Sequence, residues 1–199
     1  IDPDIIPDAL ARIRSQRRIR LAGTHEVAFD EKRDLVMNKR QKLPYHTNGM
    51  RFTAYDAASI KQAGFDGGKM LTRIDLDDDR TSFILEASAN AVTDLARAKK
   101  IAMVEPFISS RGDDGLVVND LSTDAVVKSV AMTAGLGADT AWTWLKLPAV
   151  DGMDQVARAS SMPILLLGGD VTKDPEGARR LWADALAPRT VRGLVLGRS

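Results

Sequence analysis

Residues 140–170, TAWTWLKLPAVDGMDQVARASSMPILLLGGD, contain the pattern that decides the fold. Two apolar runs, TWLKLP and PILLLGG, flank the segment GMDQVARASS, in which apolar residues recur at helical spacing. Parallel strands are joined by helical crossovers of this kind. Because both runs are almost continuously apolar, we expect helices to cover the sheet. The stretch therefore predicts an α/β protein with a parallel sheet.

The same alternation extends on both sides of this unit. Asp56 is predicted to cap a short first helix, and Gly64 to end it. In all, five strands alternate with helices after residue 66. The further strands are predicted at 67–76, 101–109 and 192–197, and the further helices at 54–67, 82–100, 123–137 and 175–187.

Two closures of such a sheet compete, an open doubly wound sheet and a (β/α)8 TIM barrel. We favour the barrel as a single domain over residues 1–199, because of the chemistry at the strand ends described below. A barrel needs about 250 residues, and three strands do not fit comfortably in the first third. Residues 1–50 show no clear pattern of strands and helices, apart from a possible basic amphipathic helix at 5–20. We therefore expect missing sequence there, with a smaller open sheet as the alternative.

The ends of the sequence give a related expectation. The chain begins at Ile1 without an initiator methionine and stops at LVLGRS, directly after a predicted strand. We therefore expect it to represent part of a longer protein.

Composition narrows the classes of function. The net charge is +1, so no broad surface for nucleic acid or an anionic membrane is indicated. The chain has no cysteine and two isolated histidines, which leaves little for a zinc site, and we expect neither a metal nor a cofactor. No apolar run approaches the ~20 residues that span a bilayer. We expect a cytoplasmic protein with a small-molecule partner, and a homo-oligomer is possible.

Ionisable residues recur once per strand–helix repeat. Lys69, Glu105 and Lys146 lie on successive predicted strands, at separations of 36 and 41 residues. Lys146 is conspicuous because it interrupts the apolar run WTWLKLP, and a buried ammonium is costly without a partner. In a barrel the three side chains can converge on one interior.

This combination of groups suits covalent catalysis on a carbonyl compound. A lysine is nucleophilic only when its amine is uncharged, a form that burial and a second nearby cation such as Lys69 both favour. Lys146 could then form an iminium with a ketone or aldehyde, and Glu105 could transfer protons. The predicted catalytic residues of such a Schiff-base aldolase are Lys146, Glu105 and Lys69.

Glycines after the last two strands indicate where a phosphate could bind. PILLLGGD ends in Gly168 and Gly169, and GLVLGRS ends in Gly197 and Arg198. Backbone N–H groups of glycines can approach a phosphate closely, and the loops after strands 7 and 8 bind phosphate in many barrels. Arg198 could add a charge-assisted hydrogen bond.

Each of these residues has a plainer interpretation. Lys146 could be an edge lysine whose head reaches solvent, and Lys69 a solvated charge at the start of a strand. Glu105 could end a strand or pair with Arg111. The glycine pair could form an ordinary turn. Trp142 and Trp144 are predicted to pack between sheet and helices.

From about residue 51 the chain resembles the class I aldolases of the deoxyribose-phosphate and tagatose-bisphosphate aldolase superfamily. A strand lysine in a context like GFDGGKML, a glutamate on the next strand and the Schiff-base lysine on the following one carry the resemblance. It is nearest to a branch linked to inositol catabolism, on the phrases FTAYDAASI, GGKML, RIDLDD, VEPF, VVNDLS, TWLKLP, LLLGGDV and GLVLGRS.

The resemblance implies a (β/α)8 barrel in which Lys146 forms the imine, Glu105 is the acid and base, and Lys69 contacts substrate. It suggests cleavage of 2-deoxy-5-keto-gluconate 6-phosphate to dihydroxyacetone phosphate and malonate semialdehyde. The family's aspartate at the end of the first strand has no counterpart before residue 50. Deoxyribose-phosphate, fructose-bisphosphate or tagatose-bisphosphate aldolase, a barrel isomerase or lyase without an imine, and a non-catalytic homologue remain alternatives.

Overall fold

A computed structural model describes residues 21–22, 55–168 and 174–195. The described helices are α1 (Ala57–Gln62), α2 (Thr81–Arg97), α3 (Thr123–Ala134), α4 (Met153–Arg158) and α5 (Pro175–Ala185). The strands are β1 (Leu21–Ala22), β2 (Gly67–Ile74), β3 (Ile101–Arg111), β4 (Val117–Asn119), β5 (Thr143–Pro148), β6 (Ile164–Leu167) and β7 (Val191–Val195). The basic helix predicted at residues 5–20 lies outside the described residues.

Each helix and strand predicted after residue 50 is present, with boundaries shifted by a few residues. The first helix begins as predicted, because the Asp56 side chain accepts a hydrogen bond from the Ser59 N–H and the Ser59 hydroxyl bonds back to the cap. Gly64 follows this helix with a φ of 73°, a conformation that glycine adopts without steric cost. Asp56 and Gly64 therefore lie at the two ends of this helix, as predicted.

Six of the described strands form a parallel sheet in the order β1-β2-β3-β5-β6-β7, which follows the chain without reversal. A doubly wound sheet reverses its order at a switch point. Parallel crossovers are nearly always right-handed, so an unreversed order puts every crossover helix on one face. The prediction of a (β/α)8 barrel is confirmed by this arrangement, although β1 and β7 do not pair with each other within the described part.

The outer face of the sheet is apolar and packs against the helices in two clusters. Both clusters consist of residues from alternate strand positions together with residues from the covering helices. One contains Met70, Ala102 and Val104 with Ile60, Val92 and Leu95, and the other contains Leu145, Leu147, Ile164 and Leu166 with Val126, Val130, Met153 and Val156. The opposite face of the same strands is thereby left to form the interior of the barrel.

Strand β4 was not predicted as a separate element. It pairs antiparallel with the end of β3, with Ser109 opposite Asn119. Gly115, with a φ of 74°, lies in the turn between the two strands. This hairpin extends beyond the carboxyl edge of the parallel sheet, where a barrel has its active site.

Candidate active site

Lys69, Glu105 and Lys146 lie on the inner face of adjacent strands. Within β2 and β3, Leu71 is paired with Glu105, and Lys69 is two positions earlier on the same face. The outward neighbours Leu145 and Leu147 of Lys146 pack against helices, so the lysine points inward. The strand alternation therefore brings the three predicted residues to one face.

Glu105 joins the two lysines. One of its carboxylate oxygens, Oε2, forms an ion pair with the Lys69 ammonium, and the other, Oε1, lies 3.5 Å from Lys146 Nζ. The Lys146 side chain is only 2% exposed, and the side chains of Lys69 and Glu105 are each 11% exposed. The three residues form a compact cluster that is largely removed from water, which we call the inner-face triad.

The interpretations of Lys69 and Lys146 as solvated lysines, and of Glu105 as a strand end or a partner of Arg111, are wrong. Neither lysine reaches bulk solvent in the way an edge or strand-start lysine would. Arg111 does not pair with Glu105 and instead donates a hydrogen bond from Nη1 to the Gly115 carbonyl. Removing charges from water costs several kcal/mol per ion unless they are paired. Each lysine here is paired with Glu105, which offsets part of the cost of burying it.

The tryptophans do not lie where they were expected. Trp142 precedes β5 and is 37% exposed. Trp144 is paired with Met103 across β3 and β5 and lies two positions before Lys146, on the same inner face. The prediction that both pack between sheet and helices is wrong, because the alternation within β5 assigns that side to Leu145 and Leu147.

The predicted phosphate site is described only at Gly168. Its backbone N–H donates to the Val195 carbonyl at 2.9 Å, which continues the pairing of β6 with β7. This N–H is therefore engaged in the sheet. Gly169, Gly197 and Arg198 lie outside the described residues, so their predicted role remains untested.

A cavity of about 290 Å³ lies outside the sheet, among the starts of α3 and α4 and one face of α5. No member of the inner-face triad lines it. Its lining residues are Leu121, Ser122, Thr123, Ala149, Val150, Asp151 and Leu181. The inner-face triad and this cavity are therefore separate. Within the described ranges, no helix has the length and hydropathy needed to cross a bilayer.

Arg73 was not singled out from the sequence, although the alternation that begins at Lys69 would have placed it on the inner face. It follows Leu71 by two positions on β2 and is paired with Phe107. Ser109 follows on the same face of β3, and its hydroxyl donates to the Asn119 side-chain oxygen at 2.9 Å. These polar groups lie closer to the carboxyl ends of the strands than the triad does.

Comparison with solved structures supports the barrel. A Schiff-base-forming fructose-1,6-bisphosphate aldolase aligns with a TM-score of 0.67 at 20% identity, over 98% of this chain and 76% of that chain. An archaeal fructose 1,6-bisphosphate aldolase gives a TM-score of 0.67 at 19% identity, over 99% and 76% of the two chains. At these identities the likeness concerns the fold.

The first part of the chain is similar to a different kind of protein. Residues 1–65 match the serine dehydratase beta chain family. An L-serine dehydratase of Streptomyces coelicolor is 40% identical over 73 residues, which are 37% of this chain and 14% of the dehydratase. The phrase FTAYDAASI lies in this matched range, so it does not distinguish an aldolase relative from a dehydratase relative.

The larger part of the chain is more similar to another protein of solved structure than to the fructose-bisphosphate aldolases. The crystal structure of Cgl0159 from Corynebacterium glutamicum aligns with a TM-score of 0.70 at 46% identity, over 74% of this chain. The aligned part is 49% of the Corynebacterium protein, so this chain spans about half its length. The Cgl0159-like family matches residues 45–199, which include the whole inner-face triad. The chain therefore belongs to the Cgl0159-like family.

Proposed function

We propose that this chain is a class I aldolase, which cleaves or forms a carbon–carbon bond in a phosphorylated keto-sugar through an imine on Lys146. The observation that carries the proposal is the Glu105 carboxylate between two amines in a site that is largely excluded from water. The Glu105 carboxylate is placed to accept the proton that Lys146 gives up before it reacts. The uncharged amine is the form that attacks a carbonyl group.

The reaction begins with attack of Lys146 Nζ on the ketone carbon, which forms a carbon–nitrogen bond. Glu105, having taken a proton from the Lys146 ammonium, gives it to the carbonyl oxygen to form a carbinolamine. It then takes a second proton from the nitrogen and transfers it to the hydroxyl group, which leaves as water. The resulting iminium accepts the electron pair of the carbon–carbon bond as a hydroxyl proton is removed and an aldehyde departs. Protonation of the enamine and hydrolysis release the ketone product and restore the lysine.

Lys69 has a separate role in this scheme. Its ammonium is paired with Glu105 and remains close to the developing charges when Glu105 is protonated. This positive charge can stabilise oxyanions formed on the substrate. We therefore assign Lys69 to substrate contact and charge stabilisation.

The substrate that we propose first is 2-deoxy-5-keto-gluconate 6-phosphate, which gives dihydroxyacetone phosphate and malonate semialdehyde. The relation to inositol catabolism, the glycine phosphate site and location in the cytoplasm are parts of the same proposal. Deoxyribose phosphate and fructose or tagatose bisphosphate are the competing substrates. The support for a bisphosphate is limited to the shared fold, because the aldolases compared are at most 20% identical.

The test is reduction with borohydride in the presence of dihydroxyacetone phosphate and each candidate sugar phosphate, followed by intact and peptide mass spectrometry. We expect one adduct per chain, located on Lys146, and none in Lys146→Met. Lys128→Met, which removes an exposed lysine of α3, is the matched control and should keep the adduct. An adduct absent from the native chain, or present on another lysine, would refute the proposal.

A second candidate is a non-catalytic homologue retained for binding or assembly. It is favoured by the match of residues 1–65 to serine dehydratase beta chains, because the expected first-strand aspartate would lie in that part. A coupled assay for the released aldehyde separates the two functions. Absence of both a trapped adduct and released aldehyde would identify the non-catalytic homologue.

A further inference from the structure

The inner face contains a second polar layer beyond the triad. Arg73 is paired with Phe107, which follows Glu105 by two residues, so this layer lies about 7 Å farther along the strands than the carboxylate. The displacement is toward the carboxyl ends of the strands, the side on which barrels bind substrate. A chain of a few carbon atoms bridges such a separation.

Arg73 points into the barrel and not toward the helices. The preceding residue, Thr72, is fully buried on the outer face, where its hydroxyl is hydrogen bonded to Ser88 of α2 at 3.0 Å. Alternation along β2 directs Arg73 to the opposite face. Its Nε atom is buried, although the side chain as a whole is only partly so. The guanidinium is thus held at the inner wall of the barrel.

The neighbouring strand provides groups suited to hydroxyls. Ser109 follows Glu105 by four residues and therefore lies on the same face of β3. It is 3% exposed, and Asn119 of β4 accepts its hydrogen bond. A cation beside a serine and an amide matches a polyhydroxylated carbon chain that ends in an anion.

We propose that Arg73 determines specificity by binding an anionic group, carboxylate or phosphate, at the end of the substrate opposite the phosphate nearer the imine. The inference rests on the proposed function and deepens it, because it defines a substrate with an anion at each end. Within the part of the chain that the structure describes, Lys69, Arg73 and Lys146 lie on this inner face with Glu105, and their positive charges favour an anionic ligand. A guanidinium binds either group with two parallel hydrogen bonds.

The experiment uses ligands without a carbonyl group, so that binding is independent of imine formation. Calorimetry compares gluconate 6-phosphate, glucitol 1,6-bisphosphate and glucitol 6-phosphate, of which the first two carry an anion at each end. In Arg73→Gln we expect affinity for these two to fall about tenfold, the size of one charge-assisted contact. Affinity for glucitol 6-phosphate should change less than twofold. The ratio of the native chain's affinities for the first two ligands shows whether a carboxylate or a phosphate is preferred.

Two further variants exclude indirect effects. Arg73→Lys keeps the positive charge but loses the paired N–H groups of the guanidinium. Its affinity for the two doubly anionic ligands should therefore fall less than that of Arg73→Gln. Arg97→Gln removes an arginine of α2 that is 75% exposed and should bind all three ligands as the native chain does. Equal loss of all three ligands in Arg73→Gln, no loss of any, or no binding by the native chain would overturn the proposal. Failure to trap an imine on Lys146 would instead refute the aldolase function, since the calorimetry does not depend on it.

Discussion

The two faces of the parallel strands bury different chemical types of side chain. On the outer face of β5, Leu145 and Leu147 are fully buried against helices and contribute only apolar contacts. On the inner face, Lys146 between them is buried to nearly the same degree, next to a carboxylate. Burial alone therefore does not identify a core residue in this protein. The chemical type of the buried group distinguishes the face that stabilises the fold from the face that we propose to be catalytic.

The strongest test of this contrast is Glu105→Gln, which removes the carboxylate charge and keeps the shape. We expect the rate of imine formation on Lys146 to fall by about 10²–10⁴-fold, the usual contribution of a positioned acid or base. The measurement is the time course of borohydride-trapped adduct by mass spectrometry. Glu86→Gln, on α2 outside the barrel, is the control and should keep the native rate. A native rate in Glu105→Gln would remove Glu105 from the mechanism.

The reciprocal test disturbs the outer face. Leu147→Ala removes a fully buried side chain from the helix-facing cluster and should lower the free energy of unfolding by about 2–5 kcal/mol. Chemical denaturation followed by circular dichroism provides the value. Imine trapping below the unfolding transition should stay within about twofold of native, because the triad lies on the other face. A stability loss under about 0.5 kcal/mol, the range of surface substitutions, would contradict the packing described.

A smaller effect concerns the buried polar pair on the outer face. Thr72→Val leaves the Ser88 hydroxyl buried without its hydrogen bond and should cost about 1–2 kcal/mol in the free energy of unfolding. The double variant Thr72→Val with Ser88→Ala removes both groups and should recover most of that loss. A double-mutant cycle in denaturant measures the coupling. Strict additivity of the two single changes would show that the hydrogen bond contributes nothing.

The smallest effect is a dependence of stability on pH through the N-cap of α1. Hydrogen bonds from the Ser59 hydroxyl and then from the Ser59 N–H lower the pKa of Asp56 below its ordinary 3.8. A carboxyl group whose pKa is lower in the folded state stabilises the fold above its unfolded pKa, and the contribution is lost as pH falls through the folded pKa. NMR titration should show that Ser59→Ala raises the Asp56 pKa. An unchanged titration in that variant would contradict the capping interaction.

Much of this structure was predictable because its signals are local. Apolar runs and helical spacing gave the strands and helices after residue 50, and the recurrence of Lys69, Glu105 and Lys146 once per repeat placed them on successive strands. Trp144 was misplaced because neighbouring apolar residues on one strand do not reveal which face meets the helices. The engagement of the Gly168 N–H was also not predictable, since it depends on pairing with a strand that lies 23 residues later in the sequence.

The sequence by itself determined the alternation of strands and helices and the spacing of Lys69, Glu105 and Lys146 on successive strands. Only the tertiary structure decided that the strand order runs without reversal, that one carboxylate lies between both lysines, and that Arg73 shares their face. The physical reason is the range of the interactions. Periodicity follows from local backbone geometry, whereas contacts between strands more than 30 residues apart depend on the register that packing of the whole sheet selects.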